Sequence, residues 1–234
     1  MQVPIEWLPA AGAPEQLILL LHGVGSEGAA MAPLAQALRA EFPQAAVLAP
    51  DAPHAFDGGP RGRQWFSVKG IDESNRAERV ATALSGLHAW IRQTQQRLGV
   101  GPAATAMAGF SQGAILALET AVAEDGLAGR VLAFSGRFVT PPAAAPRHTT
   151  VHLFHGSADP VIPALKSHEA LELLGVLRGD ATLDIAEGVG HELHPALVQR
   201  ALFRLRNHIP ARTWAAALGA VPGLPTDIDT DTDA

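Results

Sequence analysis

Three side chains of this sequence, Ser111, Asp159 and His191, are of the types that together carry out nucleophilic acyl transfer. A serine hydroxyl is a weak nucleophile at neutral pH, so it needs a histidine to take its proton and an acid to orient that histidine. Ser111 stands in the stretch Gly109-Phe110-Ser111-Gln112-Gly113, which has the pattern G-x-S-x-G. Because glycine has no Cβ, this pattern lets a strand and a helix meet in a sharp turn that exposes the serine hydroxyl. The sequence therefore makes Ser111 a candidate nucleophile.

The candidate acid and the candidate base each follow an apolar, strand-like run. Asp159 comes after 151–154, and His191 comes after 183–185. Functional residues of open parallel sheets gather beyond the carboxyl ends of the strands, and Ser, Asp, His is the chain order expected of an α/β-hydrolase. An aspartate before a helix can equally serve as its N-cap. It is the occurrence of all three residues in this order, each after a strand, that predicts a catalytic triad.

Two backbone N–H groups are candidates for an oxyanion hole, which stabilises the negative charge that develops on the carbonyl oxygen during acyl transfer. One belongs to Gln112, directly after the candidate nucleophile. The other belongs to Val24, in the early turn His22-Gly23-Val24-Gly25. The glycines on either side of Val24 allow the backbone to direct this N–H into a site.

The same turn has a competing interpretation. The segment 23–28 has the pattern G-x-G-x-x-G, and Asp51 lies near the distance expected of the ribose-binding acid of a dinucleotide-binding protein. However, Pro50 and Pro53 bracket Asp51 and favour a turn there. A dinucleotide site would also leave the three candidate catalytic residues without a common role, so an NAD(P)-dependent oxidoreductase is the less favoured alternative.

The elements that must position these residues alternate along the chain. Short apolar runs predict buried strands, and apolar residues at helical spacing predict the helices between them. The predicted strands are 16–21, 45–49, 104–110, 130–134, 150–154 and 182–186, and the predicted helices are 28–41, 72–98, 114–123, 161–177 and 195–208. This alternation predicts an α/β fold with a mostly parallel central sheet and helices on both faces. We expect one domain over 1–215 and an acidic, flexible C-terminal tail over 216–234.

The composition narrows the class of protein. The 234 residues are enough for one domain with its own core, and a net charge of −6 argues against a nucleic-acid-binding protein, which needs a basic surface. The absence of cysteine excludes disulfides, thiolate metal sites and a cysteine nucleophile. The N-terminus lacks a signal-peptide pattern, and the longest strongly apolar run, 17–21, is too short to cross a bilayer. We expect a cytoplasmic enzyme that needs neither a metal nor a cofactor and does not insert stably into a membrane.

As a set, the motifs resemble those of the phospholipase/carboxylesterase family, which includes acyl-protein thioesterases and small bacterial carboxylesterases. The resemblance runs over about 17–209 and is carried by LLHGVG at 20–25, QWF at 64–66, GFSQG at 109–113, HG at 155–156 with DPV at 159–161, and GH at 190–191. The segment 62–79 is most similar to the bacterial esterase branch. The resemblance implies a single-domain α/β-hydrolase without a large cap domain. It also implies a triad of Ser111, Asp159 and His191 and an oxyanion hole formed by Val24 and Gln112.

The resemblance also bears on the substrate. Family members that act on lipidated proteins are similar in carrying Asp after the Trp-aromatic pair and a second Gly after the elbow, where this sequence has Ser67 and Ala114. We therefore expect a small-molecule carboxylic ester with a short acyl chain, and keep acyl-protein thioesters, acyl-CoA thioesters and lysophospholipids as the alternative. Trp65 and Phe66 are candidate substrate-binding residues, although they could instead anchor a long loop in the core. We expect a monomer or a homodimer.

Overall fold

A seven-stranded sheet forms the centre of the computed structural model, which describes residues 4–219. The strands are β1 (Ile5–Trp7), β2 (Gln16–Leu21), β3 (Ala45–Ala49), β4 (His54–Ala55), β5 (Arg63–Gln64), β6 (Thr105–Phe110), β7 (Arg130–Phe134), β8 (Thr150–Gly156) and β9 (Ala181–Ala186). The helices are α1 (Ala32–Glu41), α2 (Arg76–Leu98), α3 (Gln112–Ala123), α4 (Leu165–Val176), α5 (Pro195–Asn207) and α6 (Ala211–Gly219).

The order of strands in the sheet is β1-β3-β2-β6-β7-β8-β9, and β4 and β5 form a separate two-stranded ribbon. All neighbours in the main sheet are parallel except β1, which pairs with β3 in the antiparallel direction. The predicted mostly parallel sheet is confirmed. The edge strand β1 and the ribbon were not predicted, because segments of two or three residues are too short to show a period.

Helices cover both faces of the sheet, as predicted, and each face has its own core. Alternate residues of a strand point to opposite faces. Leu17, Leu19 and Leu21 of β2 pack in the core beneath α2, α3 and α4, whereas Ile18 and Leu20 pack in the core beneath α1 and α5. Because both faces of β2 are buried, its sequence is continuously apolar.

Three helices begin later than the sequence predicted: a 3₁₀ helix over Gly28–Met31 precedes α1, and side chains hold the residues before α2 and α4 in non-helical conformations. The Asp72 carboxylate accepts hydrogen bonds from the backbone N–H groups of Ser74 (2.9 Å) and Asn75 (3.2 Å), so α2 begins at Arg76 and not at 72. In the same way, the Asp159 carboxylate accepts the backbone N–H groups of Val161 and Ile162, and α4 begins at Leu165. Helix α2 ends at Leu98 and is capped by Gly99, whose φ of 68° is readily adopted by glycine.

The C-terminal boundary expected between 215 and 216 falls inside a helix. Helix α6 crosses it and continues to Gly219, while the remainder of the predicted tail, 220–234, lies outside the described residues. Among the helices that the structure describes, none combines the length and the apolar character needed to cross a membrane.

Candidate active site

Ser111 occupies a strained turn between β6 and α3. Its backbone angles, φ 53° and ψ −114°, are ones that a residue with a side chain rarely adopts. A Cβ on Gly109 would lie 2.3 Å from the carbonyl oxygen of Gly113, and a Cβ on Gly113 would lie 2.1 Å from the carbonyl oxygen of Leu21. Both glycines of the G-x-S-x-G pattern are therefore required by steric contact.

The structure brings Ser111, His191 and Asp159 into one hydrogen-bonded chain. The Ser111 Oγ lies 2.9 Å from His191 Nε2, and His191 Nδ1 lies 2.7 Å from Asp159 Oδ2. An ionised carboxylate can only accept, so Nδ1 carries the proton and Nε2 accepts from the serine hydroxyl. The ring of Phe110 packs against the imidazole, with 4.9 Å between ring centroids. This geometry leaves a free lone pair of Nε2 directed at the hydroxyl proton.

The two carboxylate oxygens of Asp159 have different partners. Oδ1 accepts the backbone N–H groups of Val161 (2.8 Å) and Ile162 (2.9 Å), while Oδ2 accepts from His191. Burial raises the pKa of the Asp159 carboxyl, but the hydrogen bonds from His191, Ile162 and Val161 favour the charged form and together bring the pKa below its ordinary value. The aspartate thus both holds the turn before α4 and keeps a negative charge beside the imidazole.

A second histidine, His155, lies behind the acid. Its Nε2 is 2.8 Å from the carbonyl oxygen of Ile162 and 3.3 Å from Asp159 Oδ2, and its Nδ1 is 2.7 Å from Ser167 Oγ. Burial lowers the pKa of His155, so the ring is neutral, with Nε2–H donating and Nδ1 accepting from the Ser167 hydroxyl. The structure gives His155 a supporting place against the turn that carries the acid.

A pocket of about 420 Å³ opens at Ser111 and His191, and the turn that contains Val24 forms one of its walls. A Cβ on Gly23 would lie 3.3 Å from Ser111 Cβ, so this turn passes directly beside the nucleophile. Both predicted oxyanion residues therefore adjoin Ser111: Gln112 follows it in the chain, and Val24 lies in the turn that passes beside it and lines the same pocket.

His22 orients the peptide that contains the Val24 N–H. The fully buried ring accepts the backbone N–H of Ala52 at Nε2 (3.0 Å), which leaves Nδ1–H to donate to the carbonyl oxygen of Gly23 (2.7 Å). Burial lowers the pKa of His22, which keeps this neutral form. Because the C=O of Gly23 and the N–H of Val24 belong to one planar trans peptide, fixing the first fixes the direction of the second.

The loop before Trp65 clamps the same turn from outside. The Gly25 N–H donates to the carbonyl oxygen of Arg63 (2.8 Å), and the Arg63 N–H donates to that of Ser26 (2.7 Å). The Asp51 carboxylate accepts the N–H of Gly28 at 2.7 Å. Asp51 thus holds the start of the helical segment that begins at Gly28. In a dinucleotide-binding protein, the acid at this place would instead bind the ribose.

Trp65 and Phe66 lie behind the candidate oxyanion hole and do not line the Ser111 pocket. Both are buried, and they border a separate groove. The indole N–H of Trp65 donates to the carbonyl oxygen of His22 (2.9 Å), and its backbone N–H donates to Gln112 Oε1 (2.8 Å). The Gln112 side chain in turn donates to the carbonyl oxygen of Phe66 (2.8 Å). Sequence reasoning missed this bridge, because nothing in the pattern links residues 22, 65 and 112.

With the fold and this geometry established, comparison with known proteins decides the family: residues 8–209 match the family described as Phospholipase/Carboxylesterase. The chain belongs to the phospholipase/carboxylesterase family. The resemblance that the motifs indicated is therefore confirmed over nearly the whole of the described chain.

Similar proteins cover this family member almost end to end. It is 45% identical to a protein named esterase YpfH of Escherichia coli (strain K12), over 92% of this chain and 91% of that protein. It is 25% identical to a protein named acyl-protein thioesterase 1 of Gibberella zeae, over 87% of this chain and 95% of the other. Among solved structures, that of esterase PE8 superposes with a TM-score of 0.82 at 34% identity, covering 88% of this chain and 99% of that one. The single-domain α/β-hydrolase fold is thereby confirmed.

Proposed function

We propose that this protein is a serine carboxylesterase that hydrolyses short-chain carboxylic esters through an acyl-enzyme on Ser111. The observation that carries the proposal is the unbroken hydrogen-bonded chain from Asp159 through His191 to Ser111, at a strained turn that opens into a pocket. Membership of the phospholipase/carboxylesterase family and the similarity to two proteins named esterases support the same activity.

Acylation follows from the protonation state of the imidazole. His191 Nε2 takes the hydroxyl proton as Ser111 Oγ attacks the ester carbonyl, and the imidazolium then donates that proton to the leaving alcohol. Asp159, already ionised and held by two backbone N–H groups, stabilises the imidazolium without moving. Water then attacks the acyl-enzyme by the same sequence of proton transfers, which releases the acid and restores the serine.

The negative charge on the tetrahedral intermediate requires donors whose positions are set in advance, because donors that must reorganise during the reaction stabilise it less. We assign this role to the N–H groups of Val24 and Gln112. Trp65 is assigned a positioning role. Its indole N–H donates a hydrogen bond to the carbonyl oxygen of His22, which precedes Gly23, and its backbone N–H donates to the Gln112 side chain. The substrate-binding role expected for Trp65 and Phe66 is replaced in this proposal by support of the oxyanion hole.

The Ser111 pocket supports small substrates. Its volume of about 420 Å³ lies toward the low end of the range for small-molecule sites, roughly 300–1,000 Å³. Thioesters are the second candidate class, since the same attack on carbonyl carbon cleaves them and a protein named acyl-protein thioesterase 1 is 25% identical to this chain. Nitrophenyl esters and acyl-CoA thioesters from acetyl to palmitoyl would separate the two. A maximum at palmitoyl, or a preference for the thioester series, would overturn the short-chain ester proposal.

The nucleophile assignment is tested by Ser111→Ala. We expect turnover of 4-nitrophenyl butyrate to fall on the order of a million-fold, as for removal of other triad serines. A fluorophosphonate probe is expected to add its mass to the tryptic peptide that contains Ser111 and to leave Ser111→Ala unlabelled. A variant that keeps more than about a tenth of the wild-type rate would contradict the assignment.

For the remaining properties we propose a monomer or homodimer in the cytoplasm that acts on small-molecule esters and has no nucleic-acid partner. The net charge of −6 is consistent with the last point. Light scattering after size-exclusion chromatography and fractionation of the producing cells measure the first two. A stable higher oligomer or a particulate location would contradict them.

A further inference from the structure

A second pocket adjoins the Ser111 pocket on the far side of Val161. It also has a volume of about 420 Å³, and Val161 lines both pockets. Val161 is 62% exposed, so the boundary between the two pockets lies at the protein surface and is not a buried wall. A substrate whose ester carbonyl reaches Ser111 can therefore extend over Val161 into this second pocket.

Arg137 stands at the second pocket with an incompletely paired guanidinium. Its side chain is 17% exposed, yet its polar contacts with the described residues are long: 3.4 Å from Nη1 to the carbonyl oxygen of Phe138, and 3.5 Å from Nη2 to Glu73 Oε1. Charge-assisted hydrogen bonds normally measure about 2.7–2.9 Å. Arg204 of the same protein reaches that range, with 2.8 Å from its Nε to Asp184 Oδ2. The guanidinium of Arg137 thus has N–H donors that are not engaged in short hydrogen bonds with the described residues.

Glu73, the carboxylate that contacts Arg137, also lines the second pocket and is shared with another guanidinium. Glu73 also lies 3.2 Å from Arg76 Nη1, and its own side chain is 77% exposed. The Arg76 side chain is only 18% exposed, and its buried Nε has no hydrogen-bond partner among the described residues. Two largely buried positive charges are therefore balanced by one exposed negative charge. The second positive group on the pocket, Lys166, is an exposed side chain already paired with Glu169 at 2.8 Å.

Glu169 lines the pocket together with Lys166, and the remaining lining residues are apolar. Phe138, Ile162 and Pro163 contribute to its lining. The loop after Arg137 is held by the N–H of Val139, which donates to Glu119 Oε1 at 2.6 Å. A fixed apolar cavity with an under-bonded guanidinium at its edge is complementary to a carboxylate carried on a short hydrocarbon chain, because the planar fork of arginine matches a carboxylate with two parallel hydrogen bonds.

We propose that the second pocket is a subsite for a carboxylate on the acyl group, and that the preferred substrates are monoesters of aliphatic dicarboxylic acids. The proposal rests on the proposed esterase activity and adds to it the chemical class of the acyl group. In the bound substrate, the ester carbonyl lies at Ser111, the hydrocarbon spacer crosses Val161, and the free carboxylate pairs with Arg137.

The test compares monoethyl adipate with ethyl hexanoate, which has the same acyl length but no carboxylate. Proton release in a pH-stat follows both reactions. In the wild type we expect the lower KM for monoethyl adipate. Arg137→Gln is expected to raise that KM about tenfold or more, the loss expected for a charged hydrogen bond, while KM and kcat for ethyl hexanoate stay within about twofold. Arg137→Lys keeps the positive charge but not the planar guanidinium. Its KM for monoethyl adipate is expected to lie between those of the wild type and Arg137→Gln.

Arg147→Gln is the matched control, since it removes one positive charge from an exposed loop residue that lines neither pocket. It is expected to leave both substrates unchanged. If Arg147→Gln weakens monoethyl adipate as much as Arg137→Gln does, general charge attraction explains the preference and the subsite is wrong. If Arg137→Gln weakens both esters equally, Arg137 is structural and the subsite is wrong.

The wild-type enzyme provides a readout that does not depend on the fold of a variant. Adipate is expected to inhibit hydrolysis of ethyl hexanoate competitively and more strongly than hexanoate does, and equal inhibition by the two acids would overturn the subsite. Competitive inhibition by inorganic phosphate at concentrations as low as those of adipate would assign the guanidinium to phosphate recognition and would also overturn it. Hydrolysis of ethyl hexanoate without any advantage for the carboxylate defeats only this inference, whereas hydrolysis of neither ester defeats the proposed function itself.

Discussion

Replacing Trp65 with phenylalanine separates two roles for this residue. The substitution keeps an aromatic ring in the core but removes the indole N–H that donates to the buried carbonyl oxygen of His22. A buried acceptor that loses its donor costs about 1–3 kcal/mol. That carbonyl immediately precedes Gly23, whose peptide carries the Val24 N–H, so part of the cost is expected to appear as a displaced oxyanion donor.

The size of the kinetic effect has an upper bound. Complete loss of one oxyanion donor costs roughly 3–4 kcal/mol, and Trp65→Phe only loosens the donor. If about 1.4 kcal/mol of this transition-state stabilisation is lost, kcat falls tenfold. We expect kcat for 4-nitrophenyl butyrate to fall about tenfold with KM within about twofold, because the lost stabilisation belongs to the transition state. Binding of a trifluoromethyl ketone, which forms an oxyanion on Ser111, is expected to weaken by the same factor.

The matched control is Trp90→Phe, since Trp90 lies on α2 and packs partly buried against the same core. It is expected to lower thermal stability without changing kcat. A Trp65→Phe variant with a lower Tm but an unchanged kcat would show that the tryptophan only stabilises the fold. A KM that rises with the length of the acyl chain would instead restore the substrate-binding role.

Three further predictions concern the elbow, a glycine of α4 and one of the two buried histidines of β8, His152. Gly113→Ala is expected to yield no correctly folded enzyme, because its Cβ would lie 2.1 Å from the carbonyl oxygen of Leu21. Gly175→Ala, a helical position with no atom within 4 Å of the added Cβ, is expected to raise the free energy of unfolding by about 0.5–1 kcal/mol in urea titrations. Burial, followed by the nearby positive charges, lowers the pKa of His152 to about 3, whereas the unfolded chain takes up this proton near 6.5. The unfolded state therefore binds more protons between these values, so stability is expected to fall as the pH drops from 6.5 toward 3, with a limiting slope of about 1.4 kcal/mol per pH unit. His152→Gln is expected to flatten that slope, and an unchanged slope would assign the acid sensitivity to other groups.

Local pattern alone was enough for the features that depend on neighbouring residues. The bounds of β2 and β3 are those predicted, because strands buried on both faces are almost continuously apolar and end within two residues of a glycine or proline. The elbow at Ser111 was predictable because its requirement, two flanking glycines with no room for a Cβ, is met within five residues. The candidate triad could be named because parallel strands deliver their carboxyl ends to one edge of the sheet.

Short and side-chain-dependent features were not predictable in the same way. Strand β1 has only three residues, and its pairing with β3 is an antiparallel edge contact that leaves no period in the sequence. The starts of α2 and α4 depend on turns that side-chain and backbone hydrogen bonds hold in place. Helix α6 continues past the expected end of the domain, where small and apolar residues resemble a tail as much as a helix.

The sequence by itself determined the fold class and the identities of Ser111, Asp159 and His191 as candidates, since both follow from periodicity and chain order. Only the tertiary structure decided how the site is held. Asp159 divides its two oxygens between a turn and His191, and Trp65 joins residues 22 and 112 across the molecule. Such contacts depend on the three-dimensional path of the chain and on side-chain direction, which no local pattern encodes. For the same reason, an under-bonded Arg137 beside the active site became visible only once its surroundings were in place.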